Sequence, residues 1–172
     1  MDSTNHINQA HQARYTIKAF LPLITIFVAI VAFTLIRQWL YGWELHSAMN
    51  DFMAAFFLIF GAFKLYNLSA SAQAYATYDI IAKRSSFYAH FYPFIEIALG
   101  FAYLFRLFPT ATNLITLIIM LISSIGVAQE LAQKKTIVCA CLGTLFKIPM
   151  TYVTLFEDVL MATMALLMLC CL

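Results

Sequence analysis

The sequence predicts an all-α fold, a polytopic membrane helical bundle of about five transmembrane helices. Hydrophobic residues make up 63% of the 172-residue chain and charged residues only 10%, against about 25% charged in a typical soluble domain. Lipid rather than water must therefore cover the surface. The apolar runs are continuous, whereas a transmembrane barrel alternates apolar and polar residues. Those runs also approach the length of about 20 residues that a bilayer core about 30 Å thick asks of a helix. The net charge is +2 and no Lys/Arg run exceeds two residues, so nucleic-acid binding has no electrostatic footprint.

Residues 1–18 read as a polar tail and 19–172 as a single transmembrane domain. The first span, Ala19–Ile36, is uninterrupted by charge. Pro22 falls in its first turn, where a missing N–H costs little. No A-x-A-like exit follows, so the run is expected to stay as an uncleaved anchor. Arg37, Trp39, Tyr41 and Trp43 then form an interfacial belt. Asp51 is placed to cap the second span, Phe52–Leu68. Residues 69–86, with Tyr75, Tyr78, Lys83 and Arg84, read as an amphipathic helix at the interface. A third span, about 87–107, contains Pro93, Glu96 and Gly100. Pro109 and Asn113 mark a tight turn into the fourth, about 114–128, and the last runs over about 152–172.

Positive charge favours the cytoplasmic side. Arg14, Lys18, Lys83, Arg84, Lys134, Lys135 and Lys147 fall on one side of this map, and Arg37 and Arg106 on the other. That bias puts the N-terminus in the cytoplasm, with a bacterial inner membrane as the setting. In a serial up-and-down bundle the exit of the second span (Lys64), the entry of the third (Glu96), the Cys139/Cys141 connection and the entry of the last (Glu157, Asp158) share one membrane face.

Cys139 and Cys141 are the sharpest chemical feature. Two thiols one residue apart can chelate a soft metal or close a small, strained disulfide of the labile, catalytic type. Lys134, Lys135 and Lys147 would raise the thiolate fraction. The bland alternative is a pair of small apolar residues packing a loop. Cys170 and Cys171 suit an apolar helix end. Glu157, Met161, Met164 and Met168 are spaced by four, three and four, which puts them on one helix face. A carboxylate heading a thioether ladder could pass Cu(I), although Met also fills irregular contacts. Glu96 shares a face with Tyr92, Gly100 and Tyr103, and an ionisable residue inside a span is a functional-site hypothesis. Lys64, on a face with Gly61 and Phe57, could pair with Glu96 or snorkel to the interface. His6, His11, His46 and His90 show no ligand spacing.

FGAFKLYNL (Phe60–Leu68), YATYDIIAKR (Tyr75–Arg84), YAHFYPFIEIALGFAYL (Tyr88–Leu104), CACLGTLFKIPM (Cys139–Met150) and EDVLMATMAL (Glu157–Leu166) resemble, in their order and spacing, the MauE/DoxX-like group of redox-associated integral membrane proteins. The resemblance runs from about Met53 to the C-terminus, and the first helix looks like an addition to a four-helix core. It singles out Gly61, Lys64, Tyr78, Asp79, Pro93, Glu96, Cys139, Cys141, Gly143, Pro149, Glu157 and Asp158. It implies a role like that in methylamine utilisation, where relatives help to process a disulfide-rich enzyme subunit. Three readings follow. In the first, a thiol–disulfide component uses Cys139 and Cys141, with Lys64 and Glu96 shaping thiolate and proton chemistry and a thioredoxin-like or other redox partner. In the second, a soft-metal carrier, most simply for Cu(I), uses the two cysteines, Glu157 and the Met face together with a metal-handling partner. In the third, a non-catalytic assembly subunit acts through its helix faces. The lipid bilayer is a partner in all three, and the aromatic content suits contacts within a homo-oligomer. Disulfide work on an exported enzyme needs thiols facing the periplasm, whereas the charge bias places Cys139 and Cys141 on the cytoplasmic side.

Overall fold

A computed structural model describes residues 17–132 and 152–170. Residues 1–16 of the expected polar tail and the segment with Cys139, Cys141, Gly143 and Pro149 lie outside the described residues, and Ile17 and Lys18 already belong to the first helix. Among the described residues there are six helices and no strand: α1 (Ile17–Tyr41), α2 (Leu45–Tyr66), α3 (Leu68–Tyr75), α4 (Ser86–Leu104), α5 (Pro109–Ala132) and α6 (Tyr152–Cys170). Leu21–Tyr41, Leu45–Tyr66 and Pro109–Ala132 are long and apolar enough to cross a membrane. Helices α4 and α6 have 19 residues each, about 28 Å at 1.5 Å per residue. The chain is thus a helical membrane bundle.

Two pairs, α2 with α4 and α5 with α6, form the body of the bundle, and α1 lies against α2. The core between them is aromatic and thioether-rich: Phe57, Phe60, Met53, Met120, Met161 and Met168 are all fully buried. Outward positions such as Val28, Ile36, Phe87, Ile118 and Leu167 are exposed and apolar, as a lipid-facing surface requires. The Met161/Met168 face predicted on the last helix turns into this core, with Met164 packed against it.

Several helix ends differ from the sequence reading. Helix α2 begins at Leu45 behind Glu44, which makes no side-chain cap. Asp51 therefore caps nothing. It is buried within α2 and accepts from Arg37 Nε and a terminal guanidinium nitrogen, both at 3.3 Å, which ties α1 to α2. Pro109 opens α5 rather than ending a turn, because proline is preorganised for a first helical position. Asn113 is inside α5 and accepts from the Tyr103 hydroxyl at 2.8 Å. The reversal itself is made by Arg106 and Phe108, with φ of 54° and 44°. Of the expected interfacial segment, Leu68–Tyr75 is α-helical, and the turns that follow bury Tyr78, Asp79 and Ala82 while leaving Ile81, Lys83 and Arg84 exposed.

Candidate functional site

The site begins with two glycines. A Cβ at Gly61 would lie 2.9 Å from the Ile97 side chain, and one at Gly100 would lie 2.7 Å from Leu58 Cγ and 3.0 Å from the Leu58 backbone nitrogen. Their absence of side chains lets α2 and α4 approach closely, as small residues do between membrane helices. The approach brings Lys64, in the last turn of α2, against Glu96, and Lys64 Nζ donates to Glu96 Oε1 at 2.5 Å. Both residues are buried, and the ammonium also sits 4.9 Å from the centroid of the Tyr92 ring. Glu96 is deeper than an entry position. It is the eleventh residue of α4, about 15 Å along the axis.

Helices α5 and α6 complete the cluster. Ser123 Oγ donates to Asp158 Oδ2 at 2.7 Å, and Glu157, 2% exposed, has no hydrogen-bond partner for Oε1 among the described residues. Lys64, Glu96, Glu157, Asp158, Ser123 and Thr154, with Tyr75, Tyr78, Tyr92 and Met120, line a cavity of about 20 Å³. That is enough for one water, which needs about 10–15 Å³. One ammonium thus faces three carboxyl groups in a space the size of a water, and the charge balance depends on how many protons the cavity holds.

The lid over this cavity is the α3 turn. Asp79, fully buried, accepts from the backbone N–H of Ile81 at 2.9 Å and of Ala82 at 2.8 Å, and from the Tyr75 hydroxyl at 2.9 Å. This is the self-capping turn that aspartate favours. Tyr75 stacks on Tyr92 at 4.1 Å and meets Tyr78 edge-on at 5.4 Å. Burial raises the Tyr75 and Tyr78 phenols well above their ordinary range, so both remain protonated hydroxyls. The turn is seated on α5 at Gly126, where a Cβ would lie 2.5 Å from the Tyr78 carbonyl oxygen. Lys83 fastens it by an ion pair with Glu130.

The structure therefore brings together Lys64, Glu96, Glu157 and Asp158, with Tyr78 on the wall, Asp79 behind it and Gly61 at the helix crossing. Pro93 sits inside α4, less than one turn before Glu96. Cys139 and Cys141 belong to the connection between Ala132 and Tyr152, outside the described residues. Sequence reasoning missed Ser123, Thr154 and Met120. The Ser123-Ser124 pair inside an apolar run is the signal that could have found the first of them. Among the described residues no group of three or more His, Cys, Asp or Glu has a metal-binding arrangement.

A family profile described as methylamine utilisation protein MauE matches residues 42–171, a stretch that starts just after α1 and includes every residue of the cluster. Neither the curated proteins nor the solved structures contain a match.

Proposed function

The chain belongs to the MauE family, a membrane protein linked by that family to methylamine utilisation, and on this premise we propose that it is a thiol–disulfide exchange component. Cys139 and Cys141 are its dithiol and the buried Lys64–Glu96–Glu157–Asp158 cluster handles its protons. The observation that supports this is the cluster itself: three carboxyls and one ammonium around a water-sized cavity inside the helical bundle, and ionisable groups facing the interior of such bundles mark proton relays and substrate paths. In the sequence, the connection that carries the two cysteines runs from the end of α5 at Ala132 to the start of α6 at Tyr152, two residues before the cavity-lining Thr154.

In the exchange, one thiolate of the pair attacks a disulfide of a thioredoxin-like partner. The partner's S–S bond breaks, a mixed disulfide forms, and the released partner sulfur takes up a proton. The second cysteine, losing its proton, attacks the mixed disulfide, closes the Cys139–Cys141 bond and releases the partner's second sulfur as a thiol. Two electrons and two protons pass from the pair to the partner, and relative reduction potentials set the direction. The carboxyls accept and return the protons. The N-terminus is cytoplasmic in this proposal, in a bacterial inner membrane.

The test is labelling with a membrane-impermeant maleimide, before and after reductant, in intact and permeabilised cells carrying Cys170→Ser and Cys171→Ser. Labelling that appears only after reductant supports a Cys139–Cys141 disulfide, and labelling without permeabilisation places it outside. A pair that labels fully without reductant, and whose serine variants leave methylamine utilisation intact, overturns the exchange reading. The soft-metal reading depends on the same cysteines and predicts about one bound ion per chain, lost with both of them.

A further inference from the structure

The buried face of α5 is polar far beyond the cluster. Thr112, Asn113, Thr116, Met120, Ser123, Val127 and Glu130 are all buried, and from Asn113 onward they recur every three or four residues, so one stripe of the helix points inward from its first turn to its last. Asn113 Nδ2 and Ser124 Oγ make no hydrogen bond among the described residues. Buried donors and acceptors left dry are expensive, more so where lipid surrounds the bundle. Water reaching them, even transiently, removes that cost.

Both ends of the stripe have somewhere to lead. Tyr103 donates to Asn113 at 2.8 Å. Less than one turn beyond Tyr103, Arg106 lines an open polar vestibule of about 450 Å³ with Arg37, Glu44, Ser47 and Asp51. At the other end Ser123 holds Asp158 in the cluster cavity, and Met120 lines that same cavity. Thr116 and Ser123 are about 10 Å apart along the axis. The inward residue between them is Met120, 2% exposed, an unbranched and adaptable side chain.

We propose that this face of α5 is a proton route joining the vestibule to the carboxyl cluster, with Met120 as its valve. Transient water carries the proton. Asn113 and Thr116 donate to and accept from that water, Met120 interrupts the file, and Asp158 and Glu157 receive the proton on the far side. The route needs no cysteine, so it stands whether or not the exchange reading does.

The experiment uses the full chain in liposomes with an entrapped pH dye, driven by a potassium diffusion potential. Wild-type protein should pass protons above the protein-free rate. Met120→Ala should raise the flux about tenfold, equivalent to about 1.4 kcal/mol of barrier. Adding Thr116→Val should return it to the wild-type level. Cys139→Ser with Cys141→Ser should leave the flux of Met120→Ala unchanged. Far-UV circular dichroism and a monodisperse elution profile confirm that each variant is folded. A folded Met120→Ala protein with unchanged flux overturns the route, and so does a raised flux insensitive to Thr116→Val, which is leakage. A flux abolished by the serine pair also overturns it.

Discussion

Replacing Lys64 by methionine keeps most of the apolar stem and removes the ammonium, which makes it the sharpest perturbation of the cluster. The ammonium makes a charge-assisted hydrogen bond to Glu96 at 2.5 Å, an interaction worth about 1.5–3 kcal/mol. It also lies 4.9 Å from the Tyr92 ring centroid, a cation–π contact worth up to about 2 kcal/mol when desolvated. Glu96 is 3% exposed, so water does not replace the lost charge. Removing one member of such a buried pair costs about 3–5 kcal/mol, and Lys64→Met should lose stability in that range. Taking out both charges, Lys64→Met with Glu96→Leu, removes the stranded carboxylate as well. It should cost about 2 kcal/mol less than the sum of the single changes, within the coupling expected of residues in contact. The assay is equilibrium unfolding of the full chain in mixed micelles with increasing SDS, followed by circular dichroism. Additivity of the two single changes within about 0.5 kcal/mol would refute the pairing, because that is how independent sites behave.

Three further outcomes follow from the geometry. Gly126→Ala should cost about 1–3 kcal/mol by overpacking, since the added Cβ meets the Tyr78 carbonyl at 2.5 Å and the Asp79 Cα at 3.2 Å, both backbone atoms; unchanged unfolding would mean that the lid does not rest on α5. Tyr75→Phe deletes the hydroxyl that Asp79 accepts at 2.9 Å and should cost about 1 kcal/mol, while Asp79→Ala, which also frees two backbone N–H groups, should cost clearly more by the same assay. Asp51→Ala releases Arg37, whose side chain is 36% exposed, and also removes an acceptor of the buried Gln38 amide at 3.5 Å, so the loss should be about 1–3 kcal/mol, seen as faster maleimide labelling of a Thr34→Cys probe on α1.

What could be read from the sequence, and what could not, divides along a physical line. Residues on one helix face are recoverable from spacing alone. Phe57, Gly61 and Lys64 are all buried, as are Tyr92, Glu96, Gly100 and Tyr103, because the period of 3.6 residues fixes which side chains share a stripe. The pairing of Lys64 with Glu96 follows from those two stripes once α2 and α4 are neighbours. Several helix ends were not recoverable, and for one repeated reason. Asp51 precedes an apolar run and resembles a cap, but its carboxylate goes to Arg37 on α1. Asn113 is a turn former by type, but its side chain goes to Tyr103 on α4. Lys83 suits an interface, but it pairs with Glu130 on α5. In a soluble domain a polar residue inside an apolar stretch is often a boundary, because water is close enough to satisfy it. In a bundle jacketed by lipid no such solvent is at hand, and a polar group must find its partner on another helix. The same residue types then report tertiary contacts rather than ends. Read by that rule, Ser123 in its apolar run implies a partner across the bundle, and Asp158, behind the Glu157 that heads the Met face, is the group it finds.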